Sequence, residues 1–326
     1  MRVRIIGTGR SVPDNVLTNA DFEEMVDTTD EWITTRTGIK ERRIATKEEA
    51  LSDFAIPAVK NALEMAGVAG ADVDLVICAT VTPDTSFPAT STQIQHAIGA
   101  GTAAAFDISA ACTGFIYGLG IADTMIQGGK ATTVVVVGGE VLSKITNYKD
   151  RATAVLFGDG AGAVVLRASE DDSRGLLSVA LHSDGSYGHL ITRPGGGSRH
   201  PVHTPDSNPE LGFLQMRGNE TFKIAVRSLA EVSDEVLTAH GIRHSEVRWF
   251  IPHQANRRII DAVGQRLEIP EGHTYINVDR YGNTSAASVP IGLDELNRDG
   301  QIADGDIVLM SAFGSGLTWG AGVMRW

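Results

Sequence analysis

The sequence predicts an α/β protein made of two halves of similar plan, and three observations carry that prediction. Runs rich in β-branched residues alternate with helical stretches, which is the pattern of an α/β sheet. The second half repeats the order of the first. The halves also end alike, since LFGDGAGAVVLRA (156 to 168) and GSGLTWGAGVMRW (314 to 326) share a glycine turn, a Gly-Ala-Gly and a closing strand. With 326 residues, 42% of them hydrophobic, the chain is long enough for one large or two interlocked domains with a substantial core.

VRIIG (3 to 7) is the first expected strand. Thr18 and Asp21 in TNADFEEMV have capping-box spacing for a helix start. Ser52 is expected to open the helix DFAIPAVKNALEMAG, with Ala55, Val59, Ala62 and Ala66 as its buried stripe and Gly67 as its close. DLVICATV (74 to 81), TTVVVVGGE (132 to 140) and AGAVVLRA (161 to 168) follow as strands. The second half reads helix FKIAVRSLAEVSDEVLTAHG, strand VRWFIP, helix ANRRIIDAVGQRL, strand DIVLMSAFG and strand TWGAGVMRW. Between the halves lies PGGGSRHPVHTPDSNPELG (194 to 212), too long for an ordinary connection and so a lid or a mobile excursion.

A formal charge of −12 argues against nucleic acid or an anionic membrane as partner, because both need a basic footprint. Small molecules or proteins are expected instead. Two cysteines, Cys78 and Cys112, and a start (MRVRIIGTG) with no charged-then-apolar leader point to a reducing cytoplasm. No apolar run approaches the roughly 20 residues of a spanning helix. His200 and His203, with His182 or His189, are a conceivable metal set, but HxxH in a loop lacks a cysteine or carboxylate group at ligand spacing, so no metal is expected.

The chemistry centres on ISAACTGF (108 to 115). Cys112 follows an apolar strand and precedes a helix, where unpaired N–H groups and the dipole favour an anion, so its thiol is expected to ionise below the usual value of about 8.5. Cys78, mid-strand in LVICATV, reads as a small hydrophobe. Gly114, Gly118 and Gly120 each cost about 1 kcal/mol inside a helix, which close packing around a buried central helix would offset. His253 in WFIPHQAN occupies the equivalent strand-to-helix junction of the second half, where open α/β sheets place ligand chemistry. Asn283 sits in DRYGNTSAASVP, a turn leading into a Thr/Ser-capped helix. Taken singly, the histidine reads as a packing residue and the asparagine as a turn residue. Together the three offer a nucleophile, an imidazole and an amide donor for a developing oxyanion.

DEWITTRTGIKERR, ACTGF, FGDGAGA, PHQAN and GNTSAAS occur in an order that resembles the β-ketoacyl-acyl carrier protein synthase III family of the thiolase-like superfamily, from the first strand to the last Gly-Ala-Gly-Val. The resemblance implies a five-layered αβαβα thiolase-like fold of two βαβαβαββ halves, residues 1–170 and 171–326. It implies an acyltransferase that joins an acyl-CoA primer, such as acetyl-CoA, to malonyl-acyl carrier protein by decarboxylative Claisen condensation at the start of fatty acid synthesis. Coenzyme A thioester is then substrate, and no cofactor is implied. Cys112 would be acylated, His253 and Asn283 would bind the malonyl thioester carbonyl, and the N–H groups of Cys112 and Ser315 would form the oxyanion hole. Trp32 would stack on adenine with Arg151 on its other side, and Thr28, Arg36, Gly218, Phe222, Ala255 and Asn256 would line the rest of the coenzyme A path. Leu142 and Phe157 would line the acyl pocket, which Phe87 of a second copy would close in a homodimer. Arg257 and Arg258 would dock the acidic carrier protein, the alternative being a solvated helix face with Asp261 beside Arg258.

Two positions depart from the family pattern. Ser315 and Ala152 stand where glycine is usual, and the serine is tolerated unless its φ must be positive. The glycine loop Phe313-Gly314-Ser315-Gly316 has no second cysteine, unlike thiolases, and Asn283 stands where elongating synthases carry a second histidine. Competing readings are a thiolase-fold synthase or acyltransferase of secondary metabolism, a cysteine hydrolase, and a non-catalytic coenzyme A binder.

Overall fold

The structure, a computed structural model, describes residues 2–169, 171–202 and 208–326. Its first sheet holds β1 (Arg2–Ser11), β2 (Leu75–Ala79), β3 (Ala104–Ile108), β4 (Thr133–Glu140) and β5 (Gly160–Ser169), in the order β1-β5-β4-β2-β3. β2 pairs in parallel with both β3 and β4, while β5 runs antiparallel between β4 and β1. The second sheet holds β6 (Gly175–Ser183), β7 (Val247–Pro252), β8 (Ile307–Gly314) and β9 (Thr318–Arg325), in the order β7-β8-β9-β6. Only β7 and β8 are parallel there.

The main helices are α1 (Asp30–Thr37), α2 (Leu51–Ala66), α3 (Thr90–Ala97), α4 (Gly114–Gln127), α5 (Gly218–Thr238), α6 (Arg257–Arg266) and α7 (Ser288–Arg298). Inserted among the strands, they give βαβαβαββ in the first half. The second half has the same plan, with its third strand reduced to a parallel bridge between Phe250 and Thr274.

Strand alternation builds the layers. Leu75, Ile77, Val134 and Val136 face a central core with α4 and α7, whereas Val76, Cys78, Val135 and Val137 face α2 and α3 on the outside. In the second sheet, Val308, Met310 and Ala312 face the centre, and Ile307, Leu309 and Phe313 face α5 and α6. The result is a five-layered αβαβα stack. Because α4 is covered on both sides, it must approach the first sheet closely: a Cβ on Gly118 would lie 2.7 Å from Val136 Cγ1. That packing offsets the helix cost of its glycines.

Local expectations mostly match. Thr18 and Asp21 form a capping box on Asn19–Met25, and Gly67 closes α2 in the left-handed conformation at φ 62°. Ser52 does not open α2. The helix starts at Leu51 with Ala50 as its cap, which has no side chain to accept a hydrogen bond, and the N3 carboxylate of Asp53 accepts from the Ala50 N–H at 2.8 Å. β3 is the apolar strand expected before Cys112, whereas α3 carries too weak a helical pattern to be read from the sequence.

Of the loop at 194–212, His203 and the four residues after it lie outside the described residues. The rest is tied down at its base, where Ile191–Thr192 pairs with Gln215–Met216 and Gly195 N–H donates to Leu211 O at 2.6 Å. Among the described residues no three His, Cys, Asp or Glu side chains group as metal ligands, and His182 pairs instead with Glu235 at 2.7 Å. Among the same residues no helix is long and apolar enough to cross a membrane.

Candidate active site

Cys112 lies on a single 3-10 turn, Ala111–Thr113, that leads directly into α4. Ala111 enters that turn at φ 47°, a left-handed conformation that is unfavourable for a residue with a Cβ and lifts the following side chain out of the strand line. The turn is clamped to the glycine loop of the other half, since Thr113 Oγ1 donates to Thr318 O and Thr318 Oγ1 contacts Ala110 O, both at 3.1 Å. Gly314 is required at this junction: a Cβ there would sit 2.7 Å from the backbone nitrogen of Cys112. Ser315 has no positive φ, a conformation the loop assigns to Gly316 at 136°. Its hydroxyl instead donates to Ile191 O at 2.6 Å, so serine fits where the family pattern has glycine.

His253 follows the last residue of β7. Its N–H donates to Ser311 O on β8 at 2.7 Å, and its ring is 2% exposed. Nδ1 is 2.7 Å from Ser288 Oγ, which also receives the Gln254 N–H at 3.3 Å and donates to Ser285 O at 2.9 Å. A hydroxyl has one proton to give. With that proton on Ser285 O, Nδ1 carries its own hydrogen and Nε2 presents a lone pair.

Asn283 is held by the opposite half. Its N–H donates to Leu156 O at 2.8 Å and its carbonyl accepts from Gly158 N–H at 3.0 Å. Its Oδ1 takes the Ser285 N–H at 2.9 Å, which leaves Nδ2 as the free end of the carboxamide.

All three residues line one cavity of about 590 Å³. Ser315, Gly218, Phe222, Ala255, Asn256, Leu142 and Phe157 line it too. Asn256 does double service, because its Oδ1 caps α6 by accepting from Ile259 N–H at 3.0 Å. Thr28, Trp32, Arg36 and Arg151 are outside that lining. Arg36 and Arg151 both pack over the Trp32 ring, with guanidinium carbons 4.9 and 4.8 Å from its centroid. α1 packs against the start of α6, where Gly38 meets Arg257, the residue after the cavity-lining Asn256.

Arg257 and Arg258 are exposed on that first turn. Asp261 pairs with Arg257 Nε at 2.8 Å rather than with Arg258, an (i, i+4) contact in place of the expected (i, i+3) one. Arg258 is thus left to cover the cavity-lining Phe222, 5.4 Å from its ring centroid. Phe87 is 86% exposed.

Burial decides the resting charges. It pushes the Cys112 thiol up to about 12, against the opposing effects of the Ser285 hydroxyl and the cysteine's own N–H. The expected readily ionised cysteine is therefore corrected to a neutral resting thiol. Desolvation likewise lowers His253 to about 3, so the imidazole is neutral. Cys78 is wholly buried, and desolvation raises its thiol as well.

Sequence reasoning missed Ser285, Ser288 and Glu140, which contact the three central residues or each other. Ser285 and Ser288 stand in the GNTSAAS motif, where they read only as helix caps.

Comparison with known proteins places this architecture. Residues 106–185 match the family model described as 3-oxoacyl-[acyl-carrier-protein (ACP)] synthase III, and residues 237–326 match its C-terminal counterpart. The β-ketoacyl-[acyl-carrier-protein] synthase III of Thioalkalivibrio sulfidiphilus is 49% identical over 99% of this chain and 98% of its own. That of Aquifex aeolicus is 49% identical over the whole of both chains. The crystal structure of the Aquifex aeolicus VF5 enzyme superposes with a TM-score of 0.92, covering 99% of this chain and 100% of that one. The priming β-ketosynthase of the R1128 polyketide pathway gives 0.93 at 36% identity, covering 99% and 96%. The chain belongs to the β-ketoacyl-acyl carrier protein synthase III family, the thiolase-fold condensing acyltransferases that initiate fatty acid synthesis from acyl-CoA and malonyl-acyl carrier protein.

Proposed function

We propose that this chain runs the family's reaction at Cys112, with His253 and Asn283 as its partners and acetyl-CoA as the expected primer. In loading, Cys112 Sγ bonds to the acyl carbon as the bond to coenzyme A sulfur breaks. The thiol proton passes by His253 Nε2 to the departing thiolate. The N–H groups of Cys112 and Ser315 hold the intermediate oxyanion. In condensation, malonyl-acyl carrier protein loses carbon dioxide, the resulting enolate forms a carbon–carbon bond to the acyl group, and the Cys112 thiolate leaves and takes a proton from solvent. Asn283 Nδ2–H and the imidazole donate to the enolate oxygen. The ring does so from Nε2–H, after it has lost its Nδ1 proton to solvent and taken one from solvent at Nε2 with no net change of charge; the Ser288 hydroxyl then turns onto Nδ1, while Ser285 O keeps the Ser288 N–H.

No second base is required, since the carbon nucleophile arises by loss of carbon dioxide and not of a proton. The observation that carries this reading is the convergence of a neutral thiol, a neutral imidazole and an oriented carboxamide on one cavity.

The same reading assigns Thr28, Trp32, Arg36, Arg151, Gly218, Phe222, Ala255 and Asn256 to coenzyme A, and Arg257 and Arg258 to the carrier protein. Leu142, Phe157 and a second copy's Phe87 form the acyl pocket. It takes residues 1–170 and 171–326 as the two halves, the protein as a cytoplasmic homodimer, and the catalyst as free of any cofactor.

Intact-mass measurement after incubation with acetyl-CoA tests the first step. An acetyl adduct that Cys112→Ala abolishes and Cys78→Ala retains is expected. An adduct that survives Cys112→Ala, or none on the unaltered protein, overturns the assignment. Formation of a β-ketoacyl product on adding malonyl-acyl carrier protein separates condensation from hydrolysis and from transfer to oxygen or nitrogen.

A further inference from the structure

Ser285 reaches all three members of the site, His253 through Ser288. Its N–H orients the Asn283 carboxamide at 2.9 Å, and its carbonyl receives the Ser288 hydroxyl that sits on His253 Nδ1. Its own hydroxyl lies beside the Cys112 thiol. It does all this at φ 50°, a conformation that L-residues adopt only where their surroundings enforce it.

What reaches Ser285 from the other half is Glu140, the last residue of β4. Ser285 Oγ donates to Glu140 Oε1 at 3.3 Å. The carboxyl is 0% exposed and takes further hydrogen bonds from the Thr80 hydroxyl at 3.2 Å, the Val81 N–H at 3.1 Å and the Thr82 hydroxyl at 2.5 Å. Val81 and Leu142, on either side of this knot, both line the cavity. A buried carboxyl is a costly way to tie a loop, and an apolar contact would tie it as well. A carboxyl does one thing an apolar group cannot, which is to fix where a hydroxyl points.

We propose that Glu140 and Ser285 form a strut across the interface between the two halves, and that Glu140 is a positioning residue for the condensation. It acts through the Ser285 hydroxyl on the Cys112, His253 and Asn283 side chains. The idea rests on the roles proposed for those three. It adds that their mutual alignment is set by one contact between the sheet carrying the thiol and the turn that carries Asn283 and, through Ser288, holds His253.

Ser285→Ala, Glu140→Gln and the double variant test it through single-turnover acetyl loading, carbon dioxide release from malonyl-acyl carrier protein, and thermal melting. Each single variant is expected to lower the maximal rates of both half-reactions at least tenfold, with half-saturation by acetyl-CoA within twofold of the unaltered protein. The double variant is expected to be no more than twofold slower than the slower single, because both substitutions break the same contact. Ser285→Gly, which relieves the strained φ without restoring the hydroxyl, should remain slow. Unaltered rates in Ser285→Ala, multiplying losses in the double variant, or recovery in Ser285→Gly would each overturn the strut. If Glu140→Gln does not fold, Glu140→Asp, which draws the carboxylate back from Ser285, takes its place in the cycle. Loss of loading in the unaltered protein would instead refute the assignment of Cys112, so the two failures are distinguishable.

Discussion

Nδ1 of His253 lies 2.7 Å from Oγ of Ser288, and that hydroxyl is in turn 2.9 Å from the carbonyl of Ser285. A buried imidazole is useful only if the correct nitrogen faces the substrate in the correct form, and this pair of contacts supplies that orientation. Ser288→Ala leaves Nδ1 and the Gln254 N–H without their hydroxyl partner. We expect a loss of about 1–3 kcal/mol in stability, measured by urea denaturation, and slower loading measured by the time course of the acyl adduct.

Asn283 is expected to separate the two half-reactions. Its free Nδ2 has no part in forming the acyl-enzyme, so Asn283→Ala should load at close to the normal rate. Carbon dioxide release should fall by about 10²–10³, the usual consequence of deleting one oxyanion donor. Equal losses in both half-reactions, followed by mass and by labelled carbon dioxide, would contradict the role.

Gly314→Ala tests the seat of the nucleophile. A methyl group 2.7 Å from Cys112 N has no flexible neighbour to displace, so the nucleophile turn must move. A shift of about 1 Å at a reacting group costs on the order of 10²-fold in rate. Alkylation of Cys112 by iodoacetamide, together with acetyl loading, reads this directly. Ser315→Gly should be mild by comparison, because it removes only the hydroxyl bond to Ile191 O.

The buried ionisable groups predict opposite effects of pH on stability. Desolvation raises Glu140 from 4.5 to about 7, so between those values the folded state holds a proton that the unfolded state has released. Stability from this group is therefore full below about pH 4.5 and is lost as pH rises through 7, an effect on the order of 3 kcal/mol. His253, lowered from 6.5 to about 3, works the other way: its contribution is full above 6.5 and is lost as pH falls towards 3. Urea midpoints measured across pH 4–8 should show that Glu140→Gln removes the decline towards neutral pH. An unchanged profile in that variant would place the carboxyl's titration elsewhere.

Phe87 predicts the assembly. Its ring is 86% exposed in one chain, and the proposed homodimer would cover it. Sedimentation should give twice the mass of the chain, and Phe87→Ala should change the relative loading rates of short and branched primers more than it changes the rate with acetyl-CoA. A monomer of full activity would exclude a shared pocket.

Much of this protein was decided locally and was legible in its residues. Alternating valines in TTVVVVGGE fix which side chains face each layer, the Thr18–Asp21 box and Gly67 punctuate helices, and Cys112 and His253 occupy equivalent strand-to-helix junctions. Such features depend on spacing and backbone chemistry over a few residues, so a linear reading recovers them. The charge state of the thiol did not follow from its place at a helix start, because desolvation in the folded chain outweighs the helix end. Nor did the roles of Ser285, Ser288 and Glu140. Glu140 and Ser285 are 145 positions apart, and only the packing of one sheet against a turn of the other half brings their oxygens together. Short-range pattern thus determined the layers and singled out Cys112, while hydrogen bonds between distant segments, formed where water is excluded, decided how the candidate site is aimed.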